Sequence, residues 1–101
     1  MRTLKDVARY VRSKNAGPFW VTVDIFCDTA ADLDAVAAAP ALKAEAVAQV
    51  YGVEAAMVRV FKDVNLRVLK ISFPRPQAQG SGRDADSHAG QQFVPLLAAP
   101  V

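Results

Sequence analysis

The nine residues FWVTVDIFC, Phe19 to Cys27, constrain this chain more than any other stretch. Successive side chains of a strand point to opposite faces, so Phe19, Val21, Val23, Ile25 and Cys27 share one side. The other side carries Trp20, Thr22, Asp24 and Phe26 and is mixed, not simply polar. A strand with one fully apolar face needs a second layer laid against it. The next residues supply one. TAADLDAVAAA, residues 29–39, reads as a short helix capped by Thr29 or Asp28, and Pro40 interrupts it. ALKAEAVAQVY, residues 41–51, reads as a second helix, with Leu42, Ala46, Val47 and Val50 inward and Gly52 as its stop. The alanines keep both helices slim enough to lie close to a sheet.

Residues 57–63 and 66–73 read as a hairpin turning at Val64-Asn65. That turn sets Val60 opposite Leu69 and Val58 opposite Ile71, with Phe73 extending the shared face. It also sets Lys62 against Arg67, a like-charge pair. Upstream, Leu4, Val7, Ala8 and Val11 recur at helical spacing, which predicts a helix over residues 3–13 capped by Thr3 with Asp6 three residues on. In this reading RSKNAGPF, Arg12 to Phe19, stops the helix through Asn15, Gly17 and Pro18. Residues 74–90, rich in Pro, Gly, Ser and Gln, read as a long loop. Phe93, Val94, Leu96 and Leu97 then return to the body as a docking tail. Strand, helical crossover and hairpin predict one α+β domain over residues 1–101. The expected form is a ferredoxin-like two-layer sandwich with helices on one face of a small antiparallel or mixed sheet.

With 101 residues, 52% of them hydrophobic, the chain supports one thin core. A net charge of +2 argues against a general nucleic-acid binder. The charges are unevenly spread. Arg2, Lys5, Arg9, Arg12 and Lys14 crowd the first seventeen residues, and Arg59, Lys62, Arg67, Lys70 and Arg75 the hairpin region. Two basic segments brought together suit an anionic ligand. A single cysteine excludes an internal disulfide and fits a reducing compartment. Residues 1–10 carry charges throughout and lack the apolar run of a secretory signal, so the expected location is the cytoplasm, with no membrane partner.

Three constellations are candidates for chemistry. Arg12 and Lys14 are cationic anchors, with Ser13 and Asn15 as hydrogen-bonding partners, for a carboxylate or phosphate. The loop is no P-loop, because the Gly-x4-Gly-Lys spacing is absent. Asp84, Asp86 and His88 alternate, but their spacing matches no metal motif, so no metal is assigned; Asp84 or Asp86 instead suits an ion pair with Arg12 or Lys14. Ser13, His88 and the acids lack a nucleophile elbow, and inward Cys27 pairs with no base, so no catalytic residue is assigned. The sheet face away from the helices shows Trp20, Phe26, Met57 and Phe61 beside Val68, a cluster that asks for cover by another chain.

LKDVARYVRSKNAGPF, QVYGV, ISFPRP and GRDADSHAGQQFVPLL together resemble the bacterial domain-of-unknown-function family 4387 over nearly the whole chain. The layout is also similar to the small ferredoxin-like domain associated with acyclic terpene utilisation protein A. There an Arg-Ser-Gly-Asp-Lys-Gly loop matches Arg12, Ser13 and Gly17 and departs at Lys14, Asn15 and Ala16. The family's tail positions match Asp84 or Asp86, Gly90, Gln91 and Gln92, and leave out His88. The resemblance implies an accessory subunit of a large acyclic-terpene-utilisation-type protein in organic-acid or acyl-CoA catabolism. A carboxylate or acyl-CoA ligand would sit at a shared interface, with no cofactor assigned. The alternative is a small homo-oligomeric enzyme acting on an organic acid between subunits.

Overall fold

The computed structural model describes residues 2–17, 19–75 and 93–101. Its elements are α1 (Leu4–Val7), β1 (Tyr10–Asn15), β2 (Trp20–Phe26), α2 (Ala30–Ala38), α3 (Ala44–Tyr51), β3 (Arg59–Asp63) and β4 (Val68–Pro74), with short 3-10 turns at Pro40–Leu42, Ala55–Met57 and Val94–Leu96. The strands form one sheet in the order β1-β2-β4-β3, every neighbouring pair antiparallel. The helical crossover from β2 to β3 skips one strand position, which β4 fills. This is a small α+β fold consistent with a ferredoxin-like sandwich.

The alternation in β2 decides which face is covered. Val21, Val23 and Ile25 pair across to Phe73, Ile71 and Leu69 of β4, and all six join one core cluster with Leu33 and Val36 of α2 and Val47 of α3. Each such side chain taken from water contributes about 1.5–3 kcal/mol before chain entropy is subtracted. The Tyr51 ring at the end of α3 stacks on Phe73, centroids 4.1 Å apart. Local chemistry marks the helix ends. Thr29 Oγ1 accepts from the Asp32 N–H at 3.0 Å, and Gly52 closes α3 at φ +67°, the left-handed conformation that glycine adopts without steric cost.

The N-terminal helix expected over residues 3–13 ends at Val7, and residues 10–15 are a strand. Two local effects favour this. The Thr3 N–H donates to Asp6 Oδ2 at 2.9 Å, closing a single turn and holding the Asp6 carboxyl below its ordinary range. Beyond it, Tyr10 and Val11 fit a pleated surface better than a helix, and β1 satisfies the open edge of β2. Arg12 to Gly17 therefore belong to a β-hairpin, with Gly17 at φ +84° and the Ala16 N–H donating to the Trp20 carbonyl at 2.9 Å.

The second hairpin is shifted by two residues from its expected register. Val60 faces Ile71 and Lys62 faces Leu69, so the sides are kept and the Lys62–Arg67 clash disappears. The longer turn follows from Asp63, whose Oδ1 accepts the Leu66 N–H at 3.1 Å, and from Arg67 at φ 52°. Met57 falls in the 3-10 turn before β3, off the sheet. Residues 93–101 pack back on the body. Leu96 is buried, and the segment bonds to the N-terminus through Leu4 N–H to Ala99 O, Lys5 N–H to Leu97 O and Val101 N–H to Arg2 O.

Candidate functional site

The core takes its sheet residues from one face, and the other face displays three cross-strand rows. Tyr10, Phe26, Val68 and Asp63 form the first. Arg12, Asp24, Lys70 and Phe61 form the second, and Lys14, Thr22, Ser72 and Arg59 the third. Trp20 stands half-buried beyond them. Tyr10 and Phe61 are well exposed, whereas Asp24 and Val68 are buried between their neighbours.

Asp24 is the centre of this face. Its side chain is only 3% exposed, and Arg12 Nε donates to its Oδ2 at 3.2 Å. The same guanidinium lies 5.3 Å from the Phe26 ring centroid, and the Tyr10 ring packs on Phe26 at 5.8 Å. Arg9, Tyr10, Arg12 and Phe26 line a shallow cleft of about 420 Å³. The bond to Asp24 uses Nε, and among the described residues no acceptor takes the two terminal amino groups of the Arg12 fork, the pair that suits an anion. Among the described residues Asp24 Oδ1 is buried and has no hydrogen-bond donor, an arrangement that native structures rarely leave without a purpose.

The strand separates the residues that the sequence grouped as one polar site. Arg12 and Lys14 lie on the open face. Ser13 and Asn15 lie on the covered face, where Ser13 Oγ accepts the Phe93 N–H at 3.2 Å and Asn15 Oδ1 accepts from the Arg75 guanidinium. These two side chains tie β1 to the C-terminal segment and to the end of β4. Gly17 serves the hairpin turn. Trp20, Phe26 and Phe61 share the open face, and Met57 stands outside it. Asp84, Asp86, His88, Gly90, Gln91 and Gln92 lie outside the described residues. Sequence reasoning missed Arg9, Tyr10 and Asp24. The signal for Asp24 was a carboxylate in mid-strand among apolar residues, a position that requires a charged partner.

Cys27 is buried on the helix side of β2. Burial, then the nearby carboxylates of Asp32 and Asp28, push its thiol pKa above the ordinary value. The folded chain at pH 8 is therefore expected to react with iodoacetamide at least tenfold more slowly than the urea-unfolded chain, measured by mass spectrometry. Burial raises the Tyr51 hydroxyl pKa as well. Both folded values lie above the unfolded ones, so these groups contribute full stability below the ordinary thiol pKa of about 8.5 and lose it as pH rises through the folded values.

Among the described residues no helix is long and apolar enough to cross a membrane. A family model described as a domain of unknown function, DUF4387, matches residues 4–100. No curated protein and no solved structure matches the chain.

Proposed function

The chain belongs to the DUF4387 family, and from that premise we propose that it is an accessory subunit that docks on a larger protein through its open sheet face. The observation that carries this reading is the content of that face. Tyr10, Trp20, Phe26, Phe61 and Arg12 are residue types enriched at protein interfaces and at their binding hot spots. The buried oxygen of Asp24 that meets no donor among the described residues adds to it, because a partner's N–H or O–H would satisfy it. The partner that the resemblance favours is a large acyclic-terpene-utilisation-type protein of organic-acid or acyl-CoA catabolism. The cleft beside Arg9 and Arg12 suits a carboxylate or phosphate group shared between the two proteins.

Mixing the two purified proteins is expected to give one co-eluting complex on size exclusion. Arg12→Glu is expected to weaken it at least tenfold by calorimetry, because a second carboxylate then faces Asp24. Separate elution of two folded proteins would sink the reading. Turnover of an organic acid by this chain alone would replace it with the enzyme alternative.

A further inference from the structure

The outer edge of β3 pairs with no described strand, and every residue from Arg59 to Lys62 is exposed. Unpaired edges are usually blunted, because a row of free N–H and C=O groups invites another strand. This one carries apolar weight instead. Val60, Phe61, Val64 and Leu66 are 41%, 61%, 60% and 65% exposed, and all lie on β3 or its turn. Lys62 sits on the helix-facing side, the position of an edge-blocking charge, but its Nζ bonds to Asp34 Oδ1 of α2 at 3.0 Å. Its charge is thereby compensated and drawn back toward the helix layer.

We propose that β3 is a homodimerisation edge that pairs antiparallel with β3 of a second copy about a two-fold axis at Phe61, joining two four-stranded sheets into one of eight strands. The charges select this register. A two-fold through Phe61 sets Arg59 against Asp63 of the second copy and Asp63 against its Arg59, with all four on the open face. Phe61 then meets its own copy between the two ion pairs. On the opposite side Val60 lies against the aliphatic stem of Lys62 from the other chain. Centring on Lys62 would oppose two lysines, and centring on Val60 would leave both ion pairs unmade. The occupant is therefore a second copy, because the strand RVFKD is complementary to its own reverse.

Sedimentation equilibrium of the full chain tests this. The wild type is expected to be a reversible dimer with a dissociation constant on the order of 1–100 µM. Arg59→Asp and Asp63→Arg each place two like-charge pairs in the homodimer, and each should raise that constant about tenfold or more. Mixed together they form a heterodimer with both ion pairs restored, and the dimer should return. Asp63 also holds the turn, so far-UV circular dichroism is recorded for every variant. Phe61→Lys, at an exposed position, is a second probe that opposes two lysines on the axis and is expected to be monomeric. A wild type that stays monomeric at millimolar concentration overturns the proposal. So does a mixture of the two charge variants that is no more dimeric than either alone, or a monomer whose β3 accepts only a strand of another protein.

Discussion

Phe73→Ala is expected to lower the unfolding free energy by about 3–5 kcal/mol. Phe73 is fully buried in β4, directly opposite Val21, and stacks on Tyr51 of α3 at 4.1 Å with 23° between the rings. It therefore holds sheet and helix layer together at one point. Removing it costs the transfer free energy of the ring, the stacking contact, and the cavity that rigid neighbours cannot fill. Domains of this size are stable by only about 5–15 kcal/mol, so the urea midpoint should fall by about a fifth or more. Phe73→Leu keeps most of the volume and is expected to lose about 1–2 kcal/mol. A loss below about 1 kcal/mol for the alanine variant would mean that the two layers do not close on this ring.

The second large effect is expected at Arg12. Arg12→Leu removes the only side-chain hydrogen bond that the buried Asp24 carboxylate makes among the described residues. Breaking a fully buried pair costs about 3–5 kcal/mol. Arg12 is 48% exposed, so water screens part of that, and about 2 kcal/mol is expected. Adding Asp24→Leu removes the stranded charge, and the double variant should recover most of the loss, since replacing both partners by apolar groups is nearly neutral. Equal losses in the single and double variants, read from urea titrations, would show that Asp24 draws little from Arg12. Arg12→Lys is not expected to rescue, because an ammonium cannot reproduce the planar guanidinium over Phe26.

The parts of the fold legible in the sequence were those with one dominant local signal. The period-two pattern of residues 19–27 declared β2 and its covered face, and Thr29 and Gly52 declared helix ends. The first strand was illegible because Val7 and Val11 satisfy a helical stripe as well as a turn followed by a strand. What settled it was the unpaired edge of β2, a tertiary demand absent from local spacing. The alternation Tyr10-Arg12-Lys14 against Val11-Ser13-Asn15, followed by a glycine turn, was the available clue. The same error shaped the site. On a helix end, Arg12 to Asn15 would have crowded one loop; on a strand, neighbours face opposite ways. Half of the expected polar group thus serves the interior, and Asp24 replaces it on the open side. The hairpin register slipped by two because Asp63 builds a longer turn than Val64-Asn65 alone suggested.

The pairing of residues 2–5 with residues 97–101 has a consequence for the order in which contacts can form. Arg2, Leu4 and Lys5 take their hydrogen-bond partners from Leu97, Ala99 and Val101. At translation rates of about 5–20 residues per second, those partners emerge on the order of ten seconds after the segment that needs them. The first turn therefore waits on the ribosome with its backbone unpaired while the hairpins form behind it. The interior around Leu4 and Leu96 can seal only once residues 96–101 are available, so both hairpins can form before this end of the core closes.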